Sequence, residues 1–231
     1  MPHAFEPVPD ARPDDPPWPE MVWPVDPGVR LAGGAVEVSL VDLARDGADL
    51  FAALDDDRVW AHMSSRPGSV EQYVDRLGRA LAIGWLPWVV RLRRSLRGIP
   101  AGSVVGTTSY LEVSVADARL EVGATTYTPA LWGSTVNPEV KLLLLGHAFE
   151  TLRVGRVQLK TDVRNVRSQR AIERLGASHE GTLRRYQRRA DGSMRDTVVF
   201  SVTAEEWPEV RRRLLERLAT ADDPQALERR A

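Results

Sequence analysis

The 231 residues carry 31 basic and 32 acidic side chains, a formal charge of −1, 43% hydrophobic residues and no cysteine. That hydrophobic share supplies a full core and argues against a disordered chain; the lack of cysteine removes disulfides, thiolate nucleophiles and Cys-based zinc sites. The balanced charge speaks against nucleic acid, and no apolar run reaches membrane-spanning length, so a cytoplasmic protein working away from membranes is expected.

Nine of the 16 prolines fall within the first 27 residues. Proline locks φ and donates no backbone hydrogen bond, so residues 1–28 are expected to form an extended arm. Trp18 and Trp23 interrupt it. Indole rings are costly to leave in water, so at least one is expected to dock on the domain or on a partner subunit; a homodimer through the arm is one form this can take. The domain itself is expected over 29–219, with a polar tail over 220–231.

Residues 36–40 predict a strand. Leu43, Leu50, Ala53 and Leu54 share a helical face and predict a helix over 42–54. Ser69 with Gln72 three residues on is a capping-box pattern, and Tyr73, Val74, Leu77, Leu81 and Trp85 keep helical spacing until Pro87. Residues 88–92, 104–113 and 119–126 are rich in β-branched and aromatic side chains and predict three strands. Asn137 as N-cap, then Pro138 and Glu139, predicts a helix through about 152, closed by Gly155. A strand over 156–161 and a helix over 165–175 follow, the helix closed by Gly176. Two strands over 178–185 and 197–202 flank an Asp191-Gly192 hairpin turn, and a helix over 204–218 ends the domain. The expected class is α/β (α+β), with one mixed, mostly antiparallel sheet of about six to seven strands flanked by helices.

Two helix starts carry candidate chemistry, because unpaired N–H groups and the positive end of the helix dipole attract phosphate. The first is Trp132-Gly-Ser-Thr-Val-Asn-Pro-Glu-Val-Lys141. Gly133 and Ser134 let a ligand approach the backbone, and Lys141 stands about one turn in, able to add a charge. The plainer reading is a strand-to-helix turn capped by Ser134, Thr135 and Asn137. The second start is capped by Asn165. Ser168 shares a face with Ile172 and Leu175 and so points inward, while Arg167, Arg170 and Arg174 form an outer stripe. An inward hydroxyl needs a partner, since leaving it unpaired costs roughly 1–3 kcal/mol; the Asn165 cap or a nearby carbonyl can serve.

Asn165-Val-Arg-Ser168, Ala171-Ile-Glu-Arg-Leu-Gly-Ala177 and Glu180-Gly-Thr-Leu-Arg184, with Glu121-Val-Gly123, Asp196-Thr-Val-Val-Phe-Ser201 and Glu206-Trp207, resemble the RimJ/RimL-like branch of the GNAT N-acetyltransferases, which acetylates ribosomal-protein amino termini. The similarity spans roughly residues 29–218. It implies the GNAT fold, with a splay between two parallel strands, and acetyl-CoA or another acyl-CoA as cosubstrate without a metal. It implies that Trp132, Gly133, Ser134, Thr135, Val136, Asn137 and Lys141 cradle the pyrophosphate. It implies that Ala124, Thr125, Thr126 and Tyr127 pair with pantetheine, and that Asn165, Ser168 and Arg170 complete the cofactor site. The family's loop usually reads Gln/Arg-x-x-Gly-x-Gly/Ala; here Thr135 and Asn137 replace its last two small residues.

Direct attack of an amine on a thioester needs a base for the amine and an acid for the thiolate, and no covalent enzyme intermediate. Ser168 is the candidate acid by resemblance, with Tyr186 as competitor. The place where some family members carry a carboxylate is Gln187, so Glu121, or Glu112 through water, is the candidate base. His62 lies between the N-terminal helices, which shape the acceptor pocket in such folds. The acceptor is expected to be a primary amine: a protein N-terminus, an aminoglycoside or a small metabolite. A non-catalytic acyl-CoA-binding or protein-interaction module on the same scaffold is the alternative.

Overall fold

The computed structural model describes residues 6–63 and 65–222. Eight strands form one sheet: β1 (Arg30–Ala32), β2 (Val36–Leu40), β3 (Leu86–Leu92), β4 (Val104–Ser114), β5 (Arg119–Tyr127), β6 (Arg156–Asp162), β7 (Ser178–Arg188) and β8 (Met194–Thr203). Their spatial order is β1-β2-β3-β4-β5-β6-β8-β7. The short β1, absent from the sequence expectation, makes the eighth strand; it pairs with β2 just past the arm. All neighbours are antiparallel except β5 and β6. No helix among the described residues is long and apolar enough to cross a membrane.

The helices are α1 (Leu43–Leu54), α2 (Asp57–Trp60), α3 (Val70–Ala82), α4 (Val136–Gly146), α5 (Val166–Glu173) and α6 (Trp207–Asp222). One face of the sheet packs α4 and α6: Val136, Val140 and Leu144 recur at intervals of four and lie against a core that includes Val122, Val157 and Leu159. Burying each such side chain stabilises the fold by about 1.5–3 kcal/mol. The other face packs α1 and α3 through Leu50, Leu54, Tyr73 and Leu77 over Val89. Those two helices cover the β2–β4 half. Beyond it, on the face opposite α4, β6 shows Gln158, Lys160 and Asp162, alternating with core-facing Val157, Leu159 and Thr161.

Local chemistry explains most boundaries. Asp42 caps α1 by accepting from the Ala44 and Arg45 N–H groups. Ser69 Oγ accepts from the Gln72 N–H at 3.3 Å, but Gln72 Oε1 reaches back to the Gly68 N–H rather than to Ser69. That helix stops at Ala82 instead of Trp85, because Gly84 at φ +82° turns the chain into β3. The long helix expected through about 152 is α-helical only to Gly146 and continues as one π-helical turn, His147–Thr151. The Asp191-Gly192 turn joins β7 and β8 as expected, with Gly192 at φ +81°. The last helix begins at Trp207 and runs to Asp222, so it includes the start of the expected tail; residues 223–231 lie outside the described residues.

The arm packs on its own chain. Trp18 Nε1 donates to the Arg153 carbonyl at 3.0 Å, and its ring lies over Gly155, where a Cβ would meet it at 3.2 Å. Met21 and Val25 are each 4% exposed and belong to the main core. Residues 1–5 of the arm lie outside the described residues.

Candidate active site

β5 and β6 pair in parallel at only three positions, ending at Glu121 opposite Gln158. Beyond that vertex β5 runs on to Tyr127 and β6 to Asp162 without pairing, so the strands part and the sheet opens. A bulge in β5 shapes one wall. β4 advances two residues from Thr107 to Ser109, while β5 spends three from Gly123 to Thr126. Ala124 absorbs the extra residue at φ +48°, a left-handed conformation that costs an alanine on the order of 1–3 kcal/mol.

At the open end of that wall, a 3₁₀ turn at Pro129–Leu131 leads into α4. Gly133 at φ +72° faces open space, since a Cβ there would meet nothing within 4 Å. Ser134 Oγ donates to the Leu131 carbonyl at 2.7 Å and accepts from the Val136 N–H at 3.2 Å. The helix therefore starts at Val136, with Thr135 and not Asn137 at the cap, and Thr135 makes no side-chain capping bond. Thr135 has φ −74° and ψ −12°, ordinary helical angles, so a β-branched residue fits where the family pattern has glycine. Among the described residues, the N–H groups of Gly133, Thr135 and Asn137 have no hydrogen-bond acceptor. These donors and the helix dipole suit a diphosphate.

Lys141 departs from its expected place. Its side chain turns into the core, 3% exposed, and its Nζ donates to Thr125 Oγ1 at 2.8 Å and Thr108 Oγ1 at 3.3 Å. It braces the bulge from beneath and adds no charge to the loop. Burial pushes its amine down to about 7, against a weaker pull from Glu121. Glu139, in the same first turn, is also committed inward: both its carboxylate oxygens accept from the Ala35 N–H at 2.9 and 3.2 Å.

The second helix start stands after β6, across the opening. Asn165 Oδ1 accepts from the Ser168 N–H at 3.0 Å, as the sequence predicts. Ile172 and Leu175 are buried and Ser168 is half-buried on their side; its hydroxyl has no partner among the described residues. Arg167 is not a plain surface residue. Its guanidinium stacks 3.4 Å from the centre of the Trp132 ring, and burial lowers its pKa. Trp132 Nε1 in turn donates to the Tyr127 carbonyl at 3.0 Å. This stack brings the two helix starts together. Arg170, one turn further, is exposed on the same side.

The vertex holds a polar cluster. Lys160 Nζ lies 2.8 Å from Glu121 Oε2, 2.7 Å from Glu112 Oε1 and 3.4 Å from the Tyr186 hydroxyl. Glu121 is 5% exposed; burial raises its pKa, and Lys160 only partly offsets this. Burial pulls Lys160 down, but hydrogen bonds and charge from Glu112 and Glu121 outweigh it and hold the amine above the ordinary lysine range. Tyr186 is half exposed, with Lys160 Nζ 5.2 Å from its ring centre. Glu180 of the Glu-Gly pair plays a structural part, bound by Arg156 and accepting from Ser201 Oγ at 2.8 Å.

A cavity of about 330 Å³ opens beside this cluster, between the turn carrying His62 and the β7–β8 hairpin. Gln187 and Arg195, which face each other across the two strands, both line it. Sequence reasoning singled out His62 and Gln187 but missed Lys160, Arg195 and the Arg167–Trp132 stack. Lys160 left a trace, as one of only two lysines and as the middle of the polar alternation in β6. The other two depend on strand and helix placement that no local pattern encodes.

Residues 38–178 match the model of the acetyltransferase (GNAT) domain. A chain from T. thermophilus, described as an acetyltransferase, is 39% identical, with 85% of this chain and 100% of that one covered and a TM-score of 0.73. A chain from Chromobacterium violaceum ATCC 12472, described as a GNAT-family acetyltransferase, is 28% identical, with 88% and 100% covered and a TM-score of 0.78. Mycobacterium smegmatis RimJ, solved in complex with CoA-disulfide, is 23% identical, with 79% and 88% covered and a TM-score of 0.64, a likeness of fold. No curated protein sequence gives a significant match.

Proposed function

Because the chain belongs to the acetyltransferase (GNAT) domain family, we propose that it moves an acetyl or other short acyl group from acyl-CoA to a primary amine by direct attack. The observation that carries this is the opening of β5 from β6 past Glu121 and Gln158, flanked by the unpaired N–H groups at the start of α4. A pantetheine arm fits such an opening because the free edge of β5 offers it backbone hydrogen bonds, as another strand would. The diphosphate goes to Gly133, Thr135 and Asn137, and Arg170 adds a cation near the mouth. Asn165 serves by fixing the start of α5 and with it the Ser168 hydroxyl. The Asn165–Ser168 helix start and the fold likeness to RimJ support a place in the RimJ/RimL-like branch.

Glu121 takes the proton from the attacking amine, directly or through water; its raised pKa makes it a stronger base than an exposed glutamate. The C–N bond forms, the C–S bond breaks, and the Ser168 hydroxyl, which lacks an internal partner, protonates the departing thiolate as it takes a proton from solvent, to which Glu121 returns the one it took from the amine. Tyr186 is tied through Lys160 to Glu121, which supports a role for it on the amine side of the reaction.

Calorimetry with CoA and acetyl-CoA, followed by thiol release across an amine panel, tests the reading. Saturable acetyl-CoA binding with amine-dependent thiol release is expected. Absence of heat with either compound sinks it; binding without transfer to any amine would leave a CoA-binding module.

A further inference from the structure

The cavity beside the vertex has an unusual charge balance. Four arginines, Arg164, Arg188, Arg189 and Arg195, line it against two aspartates. Both aspartates are already engaged. Asp162 holds Arg189 in a bidentate pair at 2.6 and 2.8 Å, and Asp191 accepts from Ser193 Oγ at 2.6 Å and Arg164 at 3.4 Å. Arg188 and Arg195 form no ion pair among the described residues. The Nε of Arg195 is buried without any hydrogen-bond acceptor. Leaving such a donor unmet costs roughly 1–3 kcal/mol, and an incoming anion removes that cost. A guanidinium matches a carboxylate in shape as well as charge, through two parallel N–H···O bonds.

Position makes this relevant to acyl transfer. Arg195 pairs with Gln187 across the β7–β8 ladder, next to Tyr186, and feels the charge of Asp162 first, then of Glu121, and of Tyr186 less, without an ion pair to any of them. Burial lowers its pKa, as expected for a cation that its surroundings do not fully compensate. Asp162, which lines the cavity, lies two residues beyond Lys160 on the same face of β6, so the cavity neighbours the vertex on that face.

We infer that the acyl acceptor is an amine that also bears a carboxylate, held by Arg195 in this cavity with its nitrogen toward Glu121. The inference rests on the acyl-transfer reading above. The same positive excess repels polycationic amines, which sets aminoglycosides and polyamines aside as acceptors.

The test uses the full chain with acetyl-CoA and a ladder of ω-amino acids from β-alanine to ε-aminocaproate, each beside its carboxamide, with spermidine and kanamycin as polycations. Thiol release is expected to favour the best acid over its amide by about ten-fold or more in kcat/KM, the size of a charged hydrogen bond, with the polycations below both. Arg195→Gln is expected to bring that ratio to about one while acetyl-CoA affinity stays the same and the melting temperature does not fall, since the unmet donor is removed; Arg195→Lys, keeping charge without the fork, falls between. Preference for amides or polycations overturns the inference, as does an acid preference that survives Arg195→Gln. Should no amine in the set turn over, calorimetry of acid and amide on the CoA-saturated protein decides, and equal binding overturns it. Failure of acetyl-CoA itself to bind sinks the acyl-transfer reading and this inference together, whereas acetyl-CoA binding without acid preference sinks only the inference.

Discussion

Lys141 Nζ donates to Thr125 Oγ1 at 2.8 Å, so the helix whose start is offered to phosphate also holds the bulge in β5. The price is a buried amine pushed down to about 7. Between pH 7 and 9.5 the folded chain therefore binds fewer protons here than the unfolded chain, whose lysine titrates near 10.5, and stability rises with pH. Lys141→Met should remove a slope of about 1.4 kcal/mol per pH unit over that window, read from urea unfolding at a series of pH values. An unchanged slope would show that the amine is charged in the fold.

Glu121→Gln should lower kcat by about 10²–10⁴-fold with little change in acetyl-CoA affinity, because the amide cannot accept the amine proton. Burial raises the Glu121 pKa, so the acidic limb of kcat should lie above the ordinary glutamate range and vanish in the variant. A pH–rate profile in which that limb persists would assign the base elsewhere.

Ser168 and Tyr186 can be told apart by kinetics. Ser168→Ala should cut kcat by about 10²-fold while leaving the Asn165 cap intact, since that bond uses the Ser168 N–H. Tyr186→Phe removes a half-exposed hydroxyl 3.4 Å from Lys160 and should cost less than about ten-fold. A reversed order would make the phenol the acid.

Gly133→Ala isolates the backbone of the loop. Space is free around Gly133, so the penalty comes from its φ of +72° alone, about 1–2 kcal/mol for a residue with a Cβ. Acetyl-CoA affinity should fall about ten-fold or more as the loop relaxes, with kcat at saturation largely kept. Thr135→Gly, at ordinary helical angles, should leave affinity within about two-fold. Both are measured by calorimetry.

The cap at Asn165 and the Asp191-Gly192 turn were legible because each involves groups within a few residues of one another. Those interactions form whatever the rest of the chain does, so the residues state them directly. The Asn137 cap was misjudged for a related reason: Ser134, three residues earlier, satisfied the Val136 N–H first and started the helix sooner.

The amino-acid sequence by itself determined most of the strands and helices and their order, the caps at Ser69 and Asn165, and the family likeness. Only the tertiary structure decided where β5 leaves β6, that Lys141 turns inward, that Arg167 stacks on Trp132, and that the Arg195 Nε is buried without an acceptor. Each of these joins residues far apart in the chain, and sheet register together with competition for buried charges sets them. Burial and pairing are properties of the assembled sheet, so a side chain such as Glu121 acquires its raised pKa only when the strands bury it, against the opposing pull of Lys160.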